Sequence, residues 1–207
     1  MKERPILFSG EMVRAILDGR KTMTRRVLKP QPEFNREFQG IEPCYYSPTG
    51  WAKTRCQNDG MKGCSCIPFP CRYRSGDRLW VRETWDFRPM PERVSIVGYR
   101  ADESTHAVCV PDDANPTIKK GWRPSIFMPR WASRITLEIV NVRVERLQEI
   151  SGNDIYEEGL GLDAYWNRDI DDGTPLGQFR TLWDSINGKK YPWASNPWVW
   201  VIEFKRL

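Results

Sequence analysis

The sequence predicts an α+β protein that is mainly β. From Arg134 to Val144 the apolar residues alternate as Ile135, Leu137 and Ile139 and then shift phase to Val140, Val142 and Val144, the pattern of one long strand with a β-bulge. Two further runs, Leu79 to Glu83 and Trp198 to Lys205, are rich in the branched and aromatic residues that strands favour. Helical periodicity appears only in short pieces bounded by caps. With 207 residues and 40% hydrophobic content the chain can bury one substantial core, so one domain over 1–207 is expected.

In order along the chain, a short strand at Ile6 to Phe8 leads to Ser9, which can N-cap a helix over 10 to 18. That helix places Met12, Val13, Ile16 and Leu17 on one face and Glu11, Arg14 and Asp18 on the other, and Gly19 stands where a C′ glycine ends it. Residues 30–75 hold five cysteines with Pro, Gly and Tyr and no sustained period, which predicts an irregular insertion. A second insertion is expected over 86–130, containing a strand at Val94 to Tyr99 and a mobile Pro- and Asp-rich loop from about Ser104 to Pro124. Ser151 and Asp154 have the spacing of a capping box for a helix closed by Gly159. Thr174-Pro175 opens another, with Phe179, Leu182, Trp183 and Ile186 on its buried stripe and Gly188 at its end. Of the ten tryptophans, Trp80, Trp183 and Trp200 fall at packing positions.

The most one-signed stretch is Gly19 to Arg26, with four cations, two hydroxyls and no acid. Such a cluster is the electrostatic footprint of an anion site. Over the whole chain 32 basic residues face 27 acidic ones, a net charge of +5, which points to a local basic groove rather than a nucleic-acid tail. No run reaches the ~18 apolar residues of a membrane span and the N-terminus lacks a signal-peptide core, so the expected location is cytoplasmic.

Gly19, Lys21, Thr24 and Arg26 spell G-x-K-x-x-T-x-R. With Arg4 to Ser9, Gly76 to Trp85 and Trp198 to Lys205, this signature resembles the ASCH family, in particular its longer phage- and prophage-encoded branch. The resemblance spans roughly half the chain. It implies a small β-barrel related to the PUA domain, built from strands near 6–8, 79–83, 94–99, 134–144 and 198–205, with helix 10–18 across one opening. It also implies association with RNA or modified nucleosides. One bacterial ASCH enzyme type removes the acetyl group of N4-acetylcytidine with a lysine and a threonine of the signature and a glutamate after the long strand. Lys21 and Thr24 match the first two, and Glu158 aligns with the third, with Glu157 as fallback. This chain is roughly twice the length of that enzyme type, and its two insertions could wall or replace the pocket.

Read from the residues, Lys21 can act as a base toward Thr24 if its amine is desolvated or crowded by Arg20, Arg25 and Arg26. In a regular strand the two side chains would point apart, so a kink between them is expected. Glu83 is a rival carboxylate, or else half of an Arg–Glu pair beside Arg82. Trp131, between Arg130 and Arg134, can stack a base or pack beneath the sheet. Two functions therefore stand side by side: a hydrolase for an acylated nucleoside or base needing no cofactor for catalysis, or a non-catalytic binding module reading RNA or a modified nucleotide through Lys21, Arg25, Arg26 and Arg130. A phage accessory role fits the resemblance as well. Cys56, Cys64, Cys66 and Cys71 could enclose a structural zinc; free thiols are the alternative. With His106 as the only histidine, a His-based triad is not expected.

Overall fold

The computed structural model describes residues 1–31, 72–90, 94–111, 121–160 and 174–207, together with the backbone of 41–43, 51–53 and 67–68. In chain order the elements are β1 (Glu3–Leu7), α1 (Gly10–Leu17), β2 (Met23–Val27), β3 (Ile41–Pro43), β4 (Trp51–Lys53), β5 (Ile67–Pro68), β6 (Arg78–Arg82), β7 (Trp85–Pro89) and β8 (Val94–Tyr99). They continue with β9 (Thr105–Cys109), β10 (Gly121–Arg123), β11 (Thr136–Arg146), α2 (Gly152–Glu157), α3 (Pro175–Asn187) and β12 (Trp198–Arg206). The protein is α+β and mainly β, as its patterning predicts.

The main sheet has the order β1-β6-β11-β12-β2, with β1 parallel to β6 and the other pairs antiparallel. Strand β12, between β11 and β2, is buried on both faces: Trp200, Ile202 and Phe204 join one core with Ile6, Phe8, Val13 and Ile16, while Val199 and Val201 join a second with Ile155, Phe179 and Trp183. The first core lies under α1 and the second under α2 and α3. The same alternation sorts β2, where Met23 packs in the second core and Thr24 and Arg26 therefore face the first. The bulge expected in the long strand is present, as a register shift between Ile139 and Asn141. Val140 is the extra residue; it stands exposed, and Val142 and Val144 return to the first core.

Among the described residues no ladder joins β1 to β2, so the sheet is open rather than a closed barrel. Its edges nonetheless meet, because Arg26 Nη2 donates to the Leu7 carbonyl at 2.8 Å. Four flat inter-strand steps would hold those edges about 19 Å apart. The sheet is therefore curled, with a seam spanned by a side chain.

Two expectations are corrected here. The strand at 94–99 is not in the main sheet; β8 belongs to a four-stranded sheet of order β10-β7-β8-β9 with its own core of Trp85, Phe87, Val97, Tyr99, Met128 and Ala132. The stretch from Ser104 to Pro124, expected as loop, contains β9 and β10. Both are edge strands of that sheet and largely exposed, so no alternation marks them. The cysteine-rich insertion carries a small three-stranded sheet, β3-β4-β5, whose strands are too short to show a period.

Candidate active site

The signature segment begins where α1 stops. Asp18 caps the helix, Gly19 takes a left-handed φ of 76°, and the amides of Arg20 and Lys21 both donate to the Ala15 carbonyl. Lys21 then forms an isolated antiparallel bridge with Glu158, and the Thr22 amide donates to the Glu157 carbonyl at 2.9 Å. Thr22 separates this bridge from β2, so Lys21 and Thr24 do not lie in one regular strand. From the other side, Ser151 caps α2 through the Asp154 amide, and Glu158 closes it. Gly159 follows with a φ of 88°, where a Cβ would stand 2.9 Å from the Cβ atoms of both Ala15 and Lys21. Only glycine permits that approach.

The result is a lysine without solvent. Lys21 is 2% exposed, and its Nζ donates to the Glu158 carboxylate and to the Glu158 carbonyl, each at 2.7 Å. Burial is the largest influence on the amine and pulls its pKa below the ordinary lysine value; Glu158 opposes this, and the charges of Arg26 and Arg25 add to the depression. Arg20 contributes no crowding, being exposed and paired with Asp18. The Phe8 ring forms an apolar wall, 5.7 Å from Lys21 Nζ and 5.2 Å from the Arg26 guanidinium. Thr24 is 3% exposed, and its hydroxyl makes no hydrogen bond among the described residues. The structure thus brings Lys21 and Glu158 into contact and leaves the Thr24 hydroxyl, on β2 and facing the first core, without a hydrogen bond to either of them.

Arg25 points through to the opposite face of the sheet. Its side chain is 1% exposed and pairs with Glu145, Asp154 and Glu158, while Arg143 reaches Glu145, Asp154 and Glu203. Burial raises the Asp154 carboxyl, but the bonds and charges of Arg25 and Arg143 outweigh it and hold it below its ordinary range. Glu145 has no role in the sequence reading, and Asp154 has none beyond the capping box. The only signal for them was Glu145 on the polar side of a long strand. Asp154, read as part of a capping box, spends its carboxylate on arginines instead.

The other residues singled out by the sequence lie elsewhere. Arg130 is exposed and pairs with Glu3 at the far end of β1. Trp131 packs edge-on against Trp85 and Phe87, at 6.0 and 5.6 Å, in the core of the second sheet. Glu83 is 1% exposed; its partner is Arg134 rather than Arg82, through two bonds of 2.9 and 3.0 Å. Arg134 also holds Asp102 and stacks 4.1 Å above the Tyr99 ring, which fastens the second sheet to the start of β11. Burial raises the Glu83 carboxyl, whereas the Arg134 bond lowers Asp102 to about 2. Cys56, Cys64, Cys66 and Cys71 lie outside the described residues, and among the described residues no group of three or more His, Cys, Asp or Glu could hold a metal ion.

No helix among the described residues is long and apolar enough to cross a membrane. Comparison of the chain with protein-family models, curated proteins and solved structures finds no match.

Proposed function

We propose that the protein is an amidohydrolase of the ASCH type with a PUA-like fold, removing an acyl group from the exocyclic nitrogen of a modified nucleoside or base such as N4-acetylcytidine. The observation that carries this reading is the buried Lys21 amine held by the Glu158 carboxylate; the Thr24 hydroxyl, three residues on and likewise buried, is committed to no hydrogen bond with a described residue. A phosphate reader presents its cations to solvent and needs no buried acid against its lysine. Here Lys21 and Arg25 are both buried and neutralised, which leaves Arg26 as the half-buried cation of the signature. The curled main sheet, with α1 packed on its inner core, supports the PUA-like part of the proposal.

In the proposed reaction the neutral Lys21 amine takes the Thr24 proton as Oγ1 attacks the acyl carbonyl carbon. The tetrahedral intermediate then breaks its C–N bond, and the leaving amine receives the proton from Lys21, directly or by way of Glu158. Water, deprotonated by the same amine, hydrolyses the acyl-Thr24 ester and restores the hydroxyl. The test is to incubate the protein with a panel of acetylated nucleosides and follow deacetylated product by chromatography.

Because only the unprotonated amine is a base, turnover should rise with pH through an inflection below the ordinary lysine value of about 10.4. Glu158 favours the charged amine. Glu158→Gln should therefore move the inflection lower still while cutting the maximal rate by roughly a hundredfold. A pH–rate profile whose inflection does not move in that variant would remove Glu158 from the reaction.

A structural zinc held by Cys56, Cys64, Cys66 and Cys71 is a separate part of the proposal. Protein purified without chelator is expected to carry about one equivalent, and chelation should loosen residues 44–75 while the main sheet melts unchanged. Metal-free protein with that segment ordered would rule the zinc out.

A further inference from the structure

At the other end of β1 from the Phe8 wall, a cleft of about 390 Å³ is lined by Lys2, Arg4, Arg72 and Arg74 against one carboxylate, Asp77. Leaving aside Arg74, which has an interaction of its own, three cations face one anion, a local excess of two positive charges. Asp77 is buried, its Oδ1 accepts the Lys2 backbone amide at 2.7 Å, and its carboxylate forms no ion pair with a described residue. Lys2, Arg4 and Arg72 form no ion pair with any described residue, and Arg4 Nε is buried without a hydrogen-bond acceptor. Arg25, Arg134 and Arg143, by contrast, pair with two or three carboxylates each.

The cleft is also built rather than accidental. Its floor is the turn Ser75-Gly76-Asp77, with Gly76 at a φ of 82°, and that turn is fastened to the bulge of β11 at three points. The Gly76 amide donates to the Ile139 carbonyl at 2.8 Å, the Ile139 amide to the Asp77 carbonyl at 2.9 Å, and Ser75 Oγ to the Val140 carbonyl at 2.8 Å. Arg4 lies on the same side of β1 as Ile6 and Phe8, and the buried Ile6 fills the space between. Four residues of strand put Arg4 about 13 Å from Phe8. The cleft and the Lys21 site therefore open at opposite ends of one core.

We propose that this cleft is a second binding site, for phosphate groups, distinct from the Lys21 site. Guanidinium forks match phosphate oxygens in pairs, and the volume lies in the range of small-ligand sites. The phosphates belong either to a free polyphosphate or to a single-stranded nucleic acid, and the two share this recognition chemistry.

The experiment is calorimetric titration of the full chain with tripolyphosphate at low salt. Binding is expected, and Arg72→Ser and Lys2→Ser, at two exposed positions outside the cores, should each weaken it by roughly tenfold. Arg20→Ser, at an exposed cation of the signature segment, should leave it unchanged. A single-stranded RNA without terminal phosphates then separates the sources: displacement of tripolyphosphate from wild type assigns the site to a strand, and failure to displace assigns it to a free polyphosphate. Absence of binding, wild-type affinity in both cleft variants, or loss of binding in Arg20→Ser would each overturn the proposal. Because the readout is binding and not turnover, its failure leaves the hydrolase reading untouched, and the reverse holds too.

Discussion

Replacing Thr24 with Ala is expected to reduce deacylation by a thousandfold or more, on the order seen when a nucleophile is removed, while the protein still binds its substrate. The folded state should barely change. The hydroxyl makes no hydrogen bond with a described residue, so its loss should shift stability by at most ~1 kcal/mol. Lys21→Arg should silence turnover as completely by a different route, since a guanidinium stays ionised at any working pH and cannot accept the Thr24 proton. If the protein only read RNA, both variants would keep most of their affinity and no activity would exist to lose. Steady-state kinetics on an acetylated nucleoside, with substrate binding measured separately, decides between them; wild-type rates in both variants would place the chemistry elsewhere in the chain.

The largest stability effect is expected at Arg25. Arg25→Met keeps most of the volume but leaves Glu145, Asp154 and Glu158 facing one another without the cation that holds them. Breaking a buried pair by removing one partner costs about 3–5 kcal/mol, because the remaining charges stay desolvated. Arg143 is only partly buried and should recover a minor part of this. By contrast Arg26→Met, which gives up one bond to Leu7 and its stacking on Phe8, should cost about 1 kcal/mol. Urea unfolding of both variants measures the difference. A loss at Arg25 as small as that at Arg26 would mean the network behaves as an exposed one, contrary to its burial.

The contrast between these two arginines shows what could and could not be read from the chain. Strands with an apolar face announced themselves: Ile135, Leu137 and Ile139, followed by the phase shift, located both β11 and its bulge. The helix caps at Ser9, Ser151 and Thr174 were equally legible, because capping is local chemistry. β2 was not legible as a strand. One face bears Thr24 and Arg26 toward the first core and the other Met23 and Arg25 toward the second, so the charges masked the alternation. The fate of Arg25 depended on Glu145 and Asp154, 120 and 129 residues away, and no local pattern encodes such a partnership. Lys21 and Glu158 could be named, but their contact rests on Gly159 letting the end of α2 approach Ala15. The second sheet stayed hidden because β9 and β10 lie at its edges with little to bury.

The two bonds of the Lys21 amine to a single residue divide control of that amine. The Glu158 carbonyl, fixed by the backbone bridge to Lys21, holds its address, and the Glu158 carboxylate opposes the loss of charge that burial drives. Any residue at position 158 supplies the same carbonyl, so the side chain there can vary without moving the base. The basicity of the site is therefore a property that substitution at one position can retune, over a frame that the main chain keeps constant.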